Sequence, residues 1–481
     1  MKEKGHKVKL IFLPYRRTFS GHFYKDLYSE TVFEDLLDLC QDSDLIGFSV
    51  MTNYFLKVKD LTMKLKHRSD IPIIWGGIHP SVKPEECLKY ADFICIGEGE
   101  EAILELADKW KSGDISSVKN IWFKKESKIV KNELRHLEED LNKYPFQDYD
   151  LNSHYILRGT RIVKMTENLF KDSLPHEDET GELRKIYVTA SVRNCPHNCT
   201  YCCNNALRKL YEDKRRFVRK RAVSHFINEL ENVKKRFGFI RHIAISDDTF
   251  FIRSEDEIRE FSELYREKIS LPLSCSLSPQ TFDEEKLECM VDAGLFRVSV
   301  GIQSMDSQTL LNLYKRPTPA EMITKMVETL KKHRTSIPRP VYHIIVDNPY
   351  ESNVSKKKNI EFVMSLPARA RVHLYPLVFY PGTELYEKAK KDGLIKDEIK
   401  EIYLKSWTID DVQRLDYLTC VLYIVVWTKL SKTLMKLMNK ASTLMLKDKM
   451  ISLLDKKWII TLMVLFLKTF IIFVNTFRKL K

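Results

Sequence analysis

Apolar residues in the first 115 or so positions come in short continuous runs: Val8–Leu13, Leu45–Met51, Ile71–Trp75 and Phe93–Ile96. Runs of this length predict strands, and continuous rather than alternating apolarity predicts a parallel sheet covered on both faces. The stretch after Met51, through Lys66, is helical in pattern. Residues 116 to 185 read as a connector. They hold a small hairpin over Lys119–Val130, a polar loop from Asp140 to Asp150, and mixed charges without apolar period from Phe170 to Leu183. From Ile186 strand and helix alternate strictly, with strands expected at Ile186–Val192, Ile240–Ile245, Leu271–Leu277, Arg297–Gly301, Val341–Val346 and Arg371–Val378. Three capping boxes mark helix starts: Ser254 with Glu257, Thr281 with Glu284, and Thr318 with Glu321, the last with Pro319 at the first helical position.

Composition adds a large globular chain of 481 residues, 44% hydrophobic and 30% charged, without repeats or low-complexity tracts. Two or three domains are expected. The net charge of +13 is concentrated at the end, since Val412–Lys481 carries thirteen Lys/Arg against Asp416, Asp448 and Asp455. That asymmetry excludes a general nucleic-acid binder and marks a specialised basic tail. Within it, Trp458–Val474 is apolar but for Lys468 and two threonines, short for a span. A basic helix lying on a membrane surface is the expectation, with a soluble helical cap and a span as alternatives, and Leu418–Trp427 and Leu434–Leu454 continue the texture. No signal peptide is evident, so a cytoplasmic enzyme, peripheral at the inner face of the membrane, is expected. Arg208–Arg221 holds eight basic residues against Glu212 and Asp213. Solvated surface is the default for such a run, and a dock for an anionic substrate or electron donor is the sharper reading.

The candidate chemistry begins with Cys195, Cys199 and Cys202, spaced C-x3-C-x2-C after the first strand of the second region. Thiolates this close suit a soft metal site. Structural zinc and electron-transfer iron–sulfur clusters want four protein ligands, whereas three thiolates on a four-iron cluster leave one iron open. A zinc knot completed by Cys203 or His197 is the plain alternative. A disulfide framework does not suit a long chain whose other cysteines are scattered singly. Glycines follow the apolar strands of the first region, as Gly76-Gly77-Ile78-His79-Pro80 and Gly97-Glu98-Gly99-Glu100, and Ser49 and Thr52 flank the end of another. Such glycines let a ligand approach the carboxyl edge of a parallel sheet, or simply turn the chain.

Cys195-Pro196-His197-Asn198-Cys199-Thr200-Tyr201-Cys202 resembles the cluster loop of radical S-adenosylmethionine (SAM) enzymes. The order of sheet, glycine turns and cluster loop resembles the cobalamin-binding subclass of that superfamily. The resemblance implies an α/β architecture. A doubly wound, Rossmann-like cobalamin-binding domain would cover 1–135, a connector 136–185, a partial (β/α)6 barrel 186–395, and a helical basic tail 396–481. It implies a four-iron four-sulfur cluster on Cys195, Cys199 and Cys202. SAM would be held by Asp247, Asp248, Ser276, Gly301, Gln303 and Ser304, and cobalamin by Ser49, Thr52, Gly76, Gly77, His79, Gly97, Glu98 and Gly99. Three departures stand out. Gln303 replaces a Glu of the family's Gly-Ile-Glu-Ser element, and Asp347-Asn348-Pro349 stands in place of Gly-x-Pro. The Asp-x-His-x-x-Gly element that gives cobalt a histidine is missing, because His22 has Ser20 before it and Lys25 after it. Cobalt is therefore expected to lack a protein histidine. The implied activity is reductive SAM cleavage to a 5′-deoxyadenosyl radical, driven by an external reductant such as flavodoxin or ferredoxin. Cobalamin-dependent methylation of an unactivated carbon in a small or lipid-like metabolite is expected. Radical cyclisation or rearrangement, and a non-catalytic membrane-bound metal sensor, are the alternatives.

Overall fold

The computed structural model describes all residues except 15–26, 111–112, 179–182, 214–216, 368–369, 406–415, 429–436, 438–439, 443, 467–468 and 470–481. The chain forms two compact units. One comprises Met1–His176, Asn194–Arg219 and Val378–Ser406; the other comprises Glu177–Arg193, Lys220–Leu377 and Trp407–Lys481. The cluster loop therefore belongs to the first unit and the SAM-type strand ends to the second. His22 lies outside the described residues.

In the first unit, β1 (Leu10–Phe12) is followed by β2 (Ile46–Ser49), β3 (Ile73–Gly76), β4 (Phe93–Cys95), β5 (Ile121–Lys125), β6 (Lys128–Lys131), β7 (His154–Arg158) and β8 (Arg161–Lys164). A five-stranded sheet runs β2-β3-β4-β5-β6, parallel from β2 to β4 and antiparallel thereafter. Two expectations change here. The hairpin assigned to the connector completes this sheet, because Ile121 and Phe123 alternate into the core with Ile74, Phe93 and Leu106. The first apolar run leaves it and pairs with β7, so β1-β7-β8 forms its own small sheet. Residues 154–164 are thus folded structure rather than linker. Trp75 on β3 is fully buried and donates through Nε1 to Thr62 (3.0 Å), which satisfies its one polar atom.

In the second unit, β9 (His176–Asp178) lies at the edge of a seven-stranded sheet. The neighbouring β10 (Leu183–Thr189) is followed in sequence by the two-residue strands β11 (Val192–Arg193) and β12 (Arg219–Lys220). The remaining strands are β13 (Ile240–Ile245), β14 (Leu273–Leu277), β15 (Leu295–Gln303), β16 (Val341–Val346) and β17 (Arg371–Pro376). From β10 to β17 the six strands of this sheet are parallel and consecutive in space. Ile243, Cys275, Val298, Val300, Tyr342 and Ile344 are buried on the helix-covered face. Residues between them, such as Val188, Ser274, Ser276 and Ser299, are half-buried or exposed on the other face, the lumen of the half-barrel.

Only one of the three capping boxes forms, at Ser254 and Glu257. Asp283 caps Glu284–Asp292 in place of Thr281, its carboxylate accepting from the Lys286 N–H. Pro319 stands at the cap of Ala320–Lys332 rather than inside it, and the Thr318 hydroxyl is buried without a partner. In the tail, the helix Tyr417–Thr428 is core rather than membrane surface. Leu418, Val421, Leu422 and Val425 are buried, it packs on Asn353–Ser365, and Asp416 pairs with Lys356. No helix among the described residues is long and apolar enough to cross a membrane.

Candidate cofactor and substrate site

The cluster loop is held by side chains that its own spacing does not reveal. The Cys202 N–H donates to the Cys199 carbonyl (3.1 Å), turning the chain into the short helix Cys203–Arg208. Arg208, at the end of that helix, reaches back to donate to the Pro196 carbonyl (2.7 Å) and Asn198 Oδ1 (3.1 Å). The Thr200 carbonyl accepts from the Leu385 N–H (2.9 Å), and Asn205 bridges the Asn198 carbonyl and Glu384. Cys199 is buried, Cys195 and Cys202 are half-exposed, and Cys203 is exposed at the start of the helix. The thiols elsewhere differ: burial pushes Cys40 up to about 11 and Cys95 and Cys420 up to about 12, which makes them inert core residues.

Sulfur ligands of one tetrahedral zinc would stand about 3.8 Å apart, given a Zn–S bond near 2.3 Å. Among the described residues no three His, Cys, Asp or Glu side chains are gathered closely enough to hold one metal ion. Three thiolates in one braced loop supply the protein ligands that a four-iron cluster with one open iron would need.

The basic run after the loop is a set of individual anchors. Arg219 is buried and makes a bidentate pair with Glu98, while its Nη1 also donates to the Glu138 carbonyl (2.9 Å). Lys209 pairs with Glu384 in the same unit, and in the other unit Lys220 pairs with Glu257 and Arg221 with Glu229. Lys209 and Lys220 remain on the solvated surface that the default expectation describes, whereas Arg219 and Arg221 are withdrawn from solvent against their carboxylates. Residues 214–216 lie outside the described residues.

At the carboxyl ends of β2, β3 and β4, Ser49 stands level with Gly76. Gly77 has φ +98°, and a Cβ there would lie 3.0 Å from both backbone polar atoms of Val50. Gly97 has φ +75°, and a Cβ there would run into the Tyr211 phenol oxygen, which accepts from the Glu98 N–H (3.2 Å). Ser81 ties the two turns together, accepting from the Gly97 N–H (2.9 Å) and donating to the Gly77 carbonyl (2.8 Å). These residues, with Ile78, Asn194, Leu207 and Phe217, line a cleft of about 220 Å³. Its glycine-floored, aromatic-edged shape fits the rim of a flat macrocycle. Other expected contacts lie behind it. Thr52 and His79 are buried, His79 Nδ1 meets Thr52 Oγ1 (3.2 Å), and Phe55 and Tyr403 surround the ring. Burial brings the His79 imidazole down to about 4. Gly76 and Gly99 have ordinary van der Waals surroundings, both against Cys95, and Glu98 is committed to Arg219.

In the second unit, Asp247 is buried and its carboxylate accepts from the N–H of Ser191 (2.5 Å), the N–H of Val192 (2.9 Å) and Ser191 Oγ (2.7 Å). Burial raises its carboxyl above the ordinary range despite these bonds. Buried Arg253 donates to Ser191 from the other side. Asp247 thus shapes the chain just before the cysteine loop, while Asp248 is exposed. At the end of β15, Gln303 takes φ +71° and its Nε2 fills the space beside Gly301, 2.8 Å from where a Cβ would be. Buried Arg316, which sequence reasoning missed, donates to Ser278 Oγ and the Gly301 carbonyl, both at 2.9 Å. The buried Ser304 hydroxyl accepts from the Asp306 N–H (3.2 Å), and Ser276 pairs in register with Ser299 on the lumen face. Asp347 takes φ +58°, which explains how it substitutes for glycine: a short acidic side chain tolerates that region better than most.

The family model for the radical SAM superfamily matches residues 190–356, and that for the B12 binding domain matches residues 1–107. The chain is 24% identical over 400 residues to an uncharacterized methyltransferase of Pyrococcus horikoshii, covering 82% of this chain and 79% of that protein. It is 23% identical over 389 residues to the bacteriochlorophyllide d C-8(2)-methyltransferase of Chlorobaculum tepidum, covering 77% and 74%. The structure of the radical SAM methyltransferase TsrM from Kitasatospora setae superposes with a TM-score of 0.57 at 16% identity, covering 74% of this chain and 67% of that one, a likeness of fold.

Proposed function

Because this chain belongs to the radical SAM superfamily and carries a B12-binding domain ahead of its radical SAM domain, we propose that it is a cobalamin-dependent methyltransferase acting on a carbon of a small metabolite. Membership makes it an enzyme that uses a four-iron four-sulfur cluster, SAM and cobalamin. When bound, the cluster and SAM supply a 5′-deoxyadenosyl radical and cobalamin supplies a methyl carrier. The observation that carries the reading is a braced three-cysteine loop in the same chain as two positive-φ glycine turns at the strand ends of a B12-binding domain. The names of the Pyrococcus and Chlorobaculum relatives support methyl transfer.

In this reading Cys195, Cys199 and Cys202 hold the cluster, with Arg208 fixing the loop. Asp248, Ser276, Gly301, Gln303 and Ser304 bind SAM, with Arg316 fixing the Gly301 backbone and Asp247 the Ser191 turn. Gly77, Gly97 and Ser49 face cobalamin, Gly76, Glu98 and Gly99 shape the turns beneath it, and buried Thr52 and His79 back the glycine floor. A flavodoxin or ferredoxin supplies electrons. Anaerobic reconstituted protein with SAM and reductant should release 5′-deoxyadenosine; none above the protein-free control would reject the reading.

Cobalamin should bind without a protein histidine on cobalt. The electron paramagnetic resonance signal of the cobalt(II) form should be the same whether or not the protein's histidines carry nitrogen-15, and His22→Ala should leave the spectrum unchanged. Gly77→Val should weaken binding at least tenfold, since a side chain there meets the Val50 backbone. A superhyperfine pattern that changes on nitrogen-15 labelling of histidine would refute the missing-ligand assignment.

The tail supports a membrane-surface contact in one respect. On the described helix over 457–466, Trp458, Leu462, Leu465 and Phe466 are each more than half exposed, after Lys456 and Lys457. Sedimentation with anionic phosphatidylglycerol vesicles should pull down the protein at low salt, with a blue shift of Trp458 fluorescence. Recovery wholly in the supernatant would exclude the contact.

A further inference from the structure

The chain leaves β15 through a turn that needs support. Gln303 takes φ +71°, a region a non-glycine residue keeps only where its surroundings hold it there. Ser304 and Met305 come next, and both are held from the helix Asn353–Ser365. The Met305 N–H donates to Asn359 Oδ1 (2.7 Å), and the Ser304 and Ser355 hydroxyl oxygens stand 3.4 Å apart. These two links converge on one atom. Glu351 Oε1 accepts from Ser355 Oγ (2.5 Å) and from Asn359 Nδ2 (2.8 Å).

Hydrogen counting gives this row of contacts its direction. Ser304 Oγ accepts from the Asp306 N–H (3.2 Å), and the Thr309 hydroxyl hydrogen goes to the Asp306 carboxylate (2.9 Å). Ser304 is left to donate to Ser355, which spends its own hydrogen on Glu351. Asn359 likewise uses its amide at both ends. Ser304, Ser355 and Asn359 are all buried, so none can exchange a lost partner for water. Helix capping does not account for the carboxylate, because Ser352 starts this helix by accepting from the Ser355 N–H (3.2 Å).

We propose that Glu351 is a positioning residue for SAM, fixing Ser304 and the Met305 backbone through Ser355 and Asn359. The inference rests on the radical SAM reading of Ser304 and extends that site to a residue acting through its neighbours. An ionised carboxylate grips both donors more strongly than a neutral one. Burial pushes the Glu351 carboxyl up to about 7, against its two hydrogen bonds and Lys356, while Asp416 adds to the rise. Lys356 on the same helix and Asp416 ahead of Tyr417–Thr428 pair with each other. Tyr314, after β15, feels the Glu351 charge but is kept neutral by burial, and its oxygen accepts from Asn348 Nδ2 (3.0 Å). Beyond Ser355, Asp306 pairs with Lys358 (2.8 Å). As pH falls through about 7, Glu351 takes up a proton, its grip on Ser304 and Met305 loosens, and SAM binding weakens.

The test is equilibrium dialysis of anaerobically reconstituted holoenzyme against radiolabelled SAM, from about pH 6 to about pH 8. Cluster absorbance and 5′-deoxyadenosine release are measured on the same samples. The unmodified protein should bind SAM about fivefold more weakly at the acid end, the difference between a charged and a neutral acceptor. Glu351→Gln keeps an acceptor for both donors and has no proton to gain, so most of that difference should vanish. Any share that comes from the amino group of SAM itself persists in both proteins. Glu351→Ala should weaken binding about tenfold or more at the alkaline end with cluster content unchanged. The glutamine variant carries the test even where alanine unfolds the chain. Equal pH profiles for the unmodified protein and Glu351→Gln, or unchanged SAM affinity in a folded Glu351→Ala, overturn the assignment. Absence of 5′-deoxyadenosine release in the unmodified protein would instead overturn the underlying enzymatic reading, so the two failures are separable.

Discussion

Alanine at Cys195, Cys199 or Cys202 should each abolish the iron–sulfur absorption of the anaerobically purified protein and all SAM cleavage. Cys203→Ala should leave both intact. The size of the effect follows from coordination. A cluster with three protein thiolates has no spare ligand, and Cys203 is exposed at the start of the helix that leads away from the loop. Arg208→Ala makes an intermediate case. It removes two hydrogen bonds to the loop without removing a ligand, so the cluster should assemble but be lost faster in air. Iron and sulfide analysis with visible absorption reads all five variants. Full cluster retention in any of the three cysteine variants would contradict the assignment.

Asp247→Ala should be among the most destabilising single changes outside the hydrophobic core. It strands two buried N–H groups, of Ser191 and Val192, and leaves the Ser191 hydroxyl and buried Arg253 without their anionic neighbour. At about 1–3 kcal/mol per unsatisfied buried group, a loss of about 3–5 kcal/mol is expected, a large part of a typical folding free energy. Asp247→Asn keeps an acceptor for both N–H groups and should cost roughly 1 kcal/mol. Urea unfolding of the two variants measures the difference. Equal, small losses in both would show that the Ser191 turn does not depend on this carboxylate, and a direct contact to SAM would then be the better account of Asp247.

Much of this was legible because periodicity and spacing are local. Continuous apolar runs gave the parallel strands of both sheets, and the cysteine triplet needs only nine positions to declare itself. What was not legible depended on contacts far apart in sequence. Nothing in Leu10–Phe12 distinguishes a strand beside Ile46–Ser49 from one beside His154–Arg158. Within the Arg208–Arg221 run, Arg219 and Arg221 could not be told from the solvent-facing Lys209 and Lys220, because the carboxylates that bury them, Glu98 and Glu229, lie outside the run. Arg316 and Ser81 carry no motif, although both fix site backbone. Two of three capping boxes failed for a local reason: Asp283 competes better than Thr281 for the same helix end, and Pro319 sets where the other begins. The apolar tail illustrates the same limit, since Leu418–Val425 pairs with a helix sixty residues earlier rather than with lipid.

Methyl transfer leaves a label that can be followed in cells. Cells with and without the gene are fed methionine carrying a trideuterated methyl group, and their small metabolites are compared by mass spectrometry. The account predicts a gene-dependent metabolite that gains one intact trideuteromethyl group on carbon and is absent when Cys199 is alanine. A gene-dependent product with no label, formed while 5′-deoxyadenosine accumulates, would contradict methyl transfer and place the enzyme among radical cyclases or rearrangement catalysts.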